Sequence, residues 1–198
     1  AQTAEHLGDF EDIVVMEFTG DYNSQLPDGT WNISDNRKAI ANAFYESHDD
    51  AYDFLVIVTS FDFAMPTYQA AGSEHTAAGF YSSLRNNTLG IGKPLFDYTE
   101  AYGSDGKLQG TIDIGYLGKL VTSPLDPDFE HTMNLLSHEI MHRWSAYVNF
   151  NKDGVASDEL LGSGDLQGKH RSHWSFLFDS SGSTMYGNPW RDNGDGTY

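Results

Sequence analysis

From Phe129 to Phe150 the chain runs without glycine or proline, although it carries 20 glycines elsewhere. The stretch begins "SPLDPDFEHTMNLLSHEIMHRWSAYVNF", and its two prolines and acidic residues stand where helix starts place them. The run predicts one long helix over residues 129–150. Met133, Leu136, Ile140, Trp144 and Val148 recur at helical spacing and are expected to bury one side of it. A rod of that length needs a sheet or a second helix to cover its apolar stripe, so the rest of the chain has to supply one.

Upstream, Asp12–Phe18 ("DIVVMEF") reads as a short buried strand. "SDNRKAIANAFYESH" then reads as a helix capped by Ser34 and running to about His48. Tyr52–Phe61 ("YDFLVIVTSF") is continuously apolar, as a central strand covered on both faces would be. Strand, helix and strand together suggest a right-handed parallel crossover. Candidate edge strands follow in "HTAAGFYSSL" and "GTIDIGYLGKL". After Asn151 the composition shifts to Gly, Ser, Asp and aromatics, which places a lobe boundary there. The expected class is α+β, with an upper lobe at 1–150 and a smaller, irregular lobe at 151–198 within one catalytic domain.

Charge and cysteine content narrow the function. Eleven Lys and Arg against 29 Asp and Glu give a net charge of −18, which repels phosphate backbones and anionic lipid. Nucleic acid and membrane surfaces are therefore excluded as expected partners, and a solvated acidic surface is the plain reading of so much charge. Cysteine is absent, so any zinc must be held by His and carboxylate. No run of eighteen apolar residues occurs. The opening "AQTAEHLGDF" reads as a processed start and leads to an expectation of secretion, though a trimmed chain would look the same.

On the long helix His138 and His142 lie one turn apart on the same face and can aim two imidazoles at one point. Glu139 is rotated about 100° from His138, so it can sit beside a metal without ligating it. The competing reading is an ordinary amphipathic helix whose polar face carries these residues. His138-Glu139-Ile140-Met141-His142 resembles the His-Glu-x-x-His motif of the zincin metallopeptidases. That resemblance implies Zn²⁺ and an upper lobe of twisted mixed sheet with two long helices. It also implies an edge strand that pairs with bound peptide, for which "AAGFYSSL" is the candidate, and a lower lobe that completes the metal site across a cleft.

Catalytic zinc is usually held by three protein ligands with one position open. The metzincin branch would want Gly three residues after His142 and His six after it, but Ser145 and Val148 stand there. The third ligand is therefore expected from the following lobe. His173, beside Trp174 in an apolar segment, is preferred over Glu159 in "VASDELL" and over His170, which lies between Lys169 and Arg171. "SGSTMYG" resembles the methionine turn of metzincins, with Met185 as the residue beneath the metal, and the chain thus resembles a divergent metzincin-like member. Zinc would lower the pKa of its water to about 7, and Glu139 would act as general base and then protonate the leaving amine. Tyr186 and Tyr147 are candidate oxyanion stabilisers.

The tail "RDNGDGTY" alternates as calcium loops do but lacks their closing glutamate, so Ca²⁺ stands beside a simple acidic turn as its reading. The leading expectation is a secreted zinc endopeptidase acting on proteins or peptides. A zinc amidase or narrow peptidase on cell-wall or glycoprotein substrates, and a non-catalytic binding module using Trp31, Trp144, Trp174 and Trp190, remain as alternatives.

Overall fold

The first strands form a hairpin. β1 (Thr3–Phe10) and β2 (Ile13–Thr19) pair antiparallel, and Glu11 takes a positive φ of 53° at the turn between them. This is a computed structural model, and it describes residues 2–65, 77–162, 172–181 and 183–197, without the side chains of Phe176 and Leu177. The expected buried strand at Asp12–Phe18 is instead half of this two-stranded ribbon. Its residues alternate between exposed and partly covered, and Ile13 and Val15 face solvent. β1, in a segment read only as a chain start, supplies its partner.

α1 (Asp35–Tyr45) begins after Ser34 as expected. The Ser34 side chain makes no capping bond, however; the Asn32 side-chain oxygen accepts the backbone N–H groups of Ser34 and Asp35 instead. A three-stranded sheet follows, built from β3 (Phe54–Thr59), β4 (Phe80–Ser83) and, after the small β5–β6 ladder of Arg85–Asn86 with Phe96–Asp97, β7 (Gly110–Tyr116). Its order is β3-β7-β4, with β3 parallel to β7 and β4 antiparallel to it. Tyr52–Phe61 thus supplies an edge strand, with Val56 and Val58 exposed, whereas "GTIDIGYLGKL" supplies the centre. The expected β2-α1-β3 crossover does not form within one sheet, because β2 pairs only with β1 among the described residues; the parallel pair is β3 with β7.

β7 is central because both of its faces are covered. Ile112 and Ile114 pack with Tyr81 against Leu135, Leu136 and Ile140 of α2 (Phe129–Met141). On the opposite face Asp113 is fully buried and receives Arg37 of α1 at 2.7 Å, while the Tyr22 hydroxyl donates to its other oxygen at 2.7 Å. Nearby, Ala41 of α1 clusters with Leu84, Tyr102 and Leu108, and Leu55 of β3 packs on them. The helices therefore sandwich the sheet, which makes the protein a mixed α+β fold of two helices and several small sheets among the described residues.

α2 ends at Met141 with His142 as its cap, eight to nine residues short of the expected end at Phe150. Local propensity favoured continuation, but tertiary bonds win. The Met141 carbonyl accepts the N–H groups of both Trp144 and Ser145, Arg143 is drawn into a buried cage of amide oxygens, and the Tyr147 hydroxyl folds back to donate to the His142 carbonyl. The side of the helix that packs on the sheet is consequently the partly buried Leu135, Leu136 and Ile140, while Met133, Trp144 and Val148 are substantially exposed.

Beyond the helix, β8 (Phe150–Lys152) and β9 (Val155–Ser157) form a hairpin across Asp153-Gly154, both at positive φ. β10 (Leu161–Gly162), β11 (His173–Asp179) and β12 (Tyr186–Asn188) make the last sheet, with β11 in the middle. The helix that "VASDELL" could have opened is replaced by β9, a turn and β10. No described helix is long and apolar enough to cross a membrane.

Candidate functional site

The last turn of α2 and the first residue of β11 bring His138, His142 and His173 together. One ring nitrogen from each lies within 4.8 Å of the others. His138 Nε2 and His173 Nε2 approach to 3.0 Å, and the three ring centroids are 4.8–4.9 Å apart. His138 is fixed at its other end, since Nδ1 contacts the Thr184 carbonyl at 2.6 Å. A carbonyl only accepts, so Nδ1 carries the proton and a neutral His138 presents Nε2 as a lone pair toward His173.

Two facing ring nitrogens need a proton or a cation between them. Four-coordinate zinc with Zn–N bonds of 2.0–2.1 Å separates its nitrogens by about 3.3 Å, so the observed spacing suits that ion. The carbonyl behind His138 is the outer-shell partner such ligands usually have. His173 Nδ1 is buried without a partner among the described residues. The donor set therefore fits a borderline divalent metal, to which neutral imidazoles are good ligands.

Burial holds all three rings in their neutral, ligating form. It presses His142 down to about 3, with help from the positive potentials of His173, His138 and Lys93, and His173 down to about 4, with help from His138. It lowers His138 as well, opposed by the bond to the Thr184 carbonyl. Tyr81 stacks on His142 with ring centroids 6.4 Å apart.

Glu139 is the one buried residue of α2, at 5% exposure. It lies under β4, where the Tyr81 backbone N–H donates to its carboxylate. At Gly79 the chain comes so close that an added Cβ would stand 2.7 Å from the Glu139 carboxylate oxygen. Burial first, then the Asp113 charge, pushes its pKa up to about 8 against the Tyr81 amide. This is the shift expected of a carboxyl that exchanges protons near neutrality.

The remaining expected residues separate. Glu159 is exposed and pairs with Lys152 at 2.7 Å, outside the histidine group. His170 lies outside the described residues. Met185 is fully buried in the turn that also presents the Thr184 carbonyl; its own carbonyl accepts the Trp174 N–H at 3.0 Å, tying this turn to β11. Tyr186, at a positive φ of 71°, leans its half-exposed ring toward His173 and His138, at 4.5 and 5.0 Å between centroids. Tyr147 is committed to the His142 carbonyl, and Lys93 donates to its hydroxyl at 3.5 Å. In the tail, the Asp192 and Asp195 carboxylates accept backbone N–H groups of their own turns.

Several neighbours of the site carry no signal in the sequence. Arg143, 2% exposed, is held by Gln109, Asn86 and Asn87 oxygens at 2.8–3.2 Å. Lys93 donates to Ser83 Oγ at 3.0 Å and is lowered to about 8 by burial and by Arg143. The loop carrying it is pinned where Gly92, at φ 83°, meets the Tyr147 carbonyl. No local pattern marks these residues, because their partners come from strands and loops distant in sequence. A cleft of about 760 Å³ beside Ile114, Gly115, Tyr116, Leu120 and Leu135 is lined by none of the three histidines, and the ligand geometry, not cleft size, locates the site. Comparison with protein-family models, with curated proteins and with solved structures returns no match to this chain.

Proposed function

We propose that the chain is a zinc-dependent peptidase of the zincin type, hydrolysing peptide bonds of protein or peptide substrates outside the cell. The observation that carries this reading is the convergence of His138, His142 and His173 beside a buried Glu139. In this reading the region around the β3-β7-β4 sheet, α1 and α2 is the upper lobe, and the segment bearing β11 and Met185 is the lower lobe.

His138, His142 and His173 would hold Zn²⁺, which supplies Lewis acidity toward water and the scissile carbonyl when bound. Glu139, as the carboxylate, takes the proton from the attacking water and passes it to the departing amine. The Tyr81 amide and the backbone at Gly79 hold the carboxylate in place. Tyr186, whose ring is tilted beside two of the three histidines, donates to the oxygen that gains charge as the carbonyl is attacked. β4 stands at the sheet edge next to Glu139, where an extended substrate can align with it.

The test is zinc content and casein hydrolysis for the wild type, Glu139→Gln and His173→Ala. Glu139→Gln is expected to keep its zinc and lose about 10²- to 10⁴-fold in activity. His173→Ala is expected to lose both. Undiminished hydrolysis by Glu139→Gln would overturn the assignment.

A further inference from the structure

A second group of metal-type ligands lies at the other end of the sequence, where β1 meets the C-terminal end of α1. His6 Nε2 stands 2.7 Å from Asp9 Oδ1, His48 Nε2 stands 3.3 Å from the same oxygen, and the three ligand atoms lie within 4.8 Å of one another. Residues three apart on a regular strand face opposite ways. Here the pairing passes from His6↔Met16 directly to Gly8↔Val15, so Leu7 is an extra residue, and this bulge brings Asp9 round to the His6 side.

Both imidazoles are oriented from behind. His48 stacks on Phe44, with ring centroids 4.2 Å apart and planes 7° from parallel, and its Nδ1 contacts the Phe44 carbonyl at 3.0 Å, so that nitrogen is the donor. The Ser47 hydroxyl donates to the same carbonyl at 3.3 Å, and its oxygen lies 3.0 Å from His48 Nδ1 and 3.2 Å from His6 Nδ1, within reach of a proton on either ring. Each Nε2 thereby faces the Asp9 carboxylate oxygen, where a proton or a cation has to lie between the two. Outer-shell bonds of this kind, to a carbonyl and a hydroxyl, are what fix the tautomer of a metal-ligating histidine.

We propose that His6, Asp9 and His48 form a second site for a zinc-class divalent cation, which clasps the N-terminal hairpin to the end of α1. Two imidazoles and one carboxylate, with a remaining position for water, select Zn²⁺ and its neighbours over Ca²⁺ or Mg²⁺, which take oxygen ligands. The site is independent of the peptidase reading, because it shares no residue with the cluster on α2 and β11.

The test is equilibrium dialysis of the whole chain against Zn²⁺ alone, comparing the wild type with Asp9→Asn and with His48→Gln. Asp9 is exposed, so its substitution leaves the fold intact. Each variant is expected to bind one zinc fewer per chain than the wild type, giving two against one if the α2 cluster also binds and one against none if it does not. Equal zinc content in the wild type and Asp9→Asn would overturn the proposal and leave the trio as histidine–carboxylate ion pairs.

Discussion

Glu139 shows how much a single side chain owes to its surroundings. A glutamate on the last full turn of a helix is ordinarily solvated, but here the neighbouring strand covers it and the Tyr81 amide anchors it. In the proposed peptidase Tyr186 is the oxyanion donor from the opposite segment, and Tyr186→Phe is expected to lower kcat by about 10²- to 10³-fold with little change in KM or zinc content. Steady-state kinetics of that variant check the role, and an unchanged kcat would remove it. Arg37 carries structure instead. It is buried against Asp113, so Arg37→Leu strands a buried carboxylate and is expected to cost about 3–5 kcal/mol in urea unfolding. At this scale the sequence was informative for His138, Glu139 and His142, whose spacing on a helix is local. It was silent on Arg37, Lys93 and Arg143, whose surroundings are assembled from distant strands.

Among the elements, α2 and the sheet differ in how readily they could be read. The start of α2 follows from its prolines and acidic residues, but its end at Met141 depends on Arg143 finding three amide oxygens and on Tyr147 bonding back to the His142 carbonyl. Propensity cannot anticipate such partners. The strands expected at 12–18, 52–61 and in the two later segments have counterparts in β2, β3, β4 and β7, whereas β1 and the short strands after Asn151 were not expected, and β3 and β7 exchange the edge and central positions expected of them. The continuous apolar run of β3 outweighed the more polar β7, whose Asp113 is tolerated at the centre because Arg37 and Tyr22 bond to it. Gly79 belongs to this scale too. Gly79→Ala drives a methyl group against the Glu139 carboxylate, and activity is expected to fall by at least tenfold while zinc content holds, which parallel assays and metal analysis would show. Gly92→Ala is expected to cost about 1–3 kcal/mol, measured by denaturation, since it combines a left-handed backbone with a collision against the Tyr147 carbonyl.

For the whole molecule, the histidine cluster joins α2 to a segment more than thirty residues further along the chain, so a bound ion also ties the last sheet to the helix–sheet core. Zinc at 100 times its Kd is expected to stabilise the fold by about 2.7 kcal/mol. In a chain of 198 residues that corresponds to a Tm about 5–11 °C higher than after chelation, as read by calorimetry. A net charge of −18 favours cation uptake generally, so the position of the ion is more informative than its presence. Anomalous diffraction from crystals of the zinc-loaded protein, recorded on both sides of the zinc absorption edge, fixes that position. A peak about 2.0–2.1 Å from a nitrogen of each of His138, His142 and His173 is predicted. An anomalous map with no peak among these three rings would contradict the central claim.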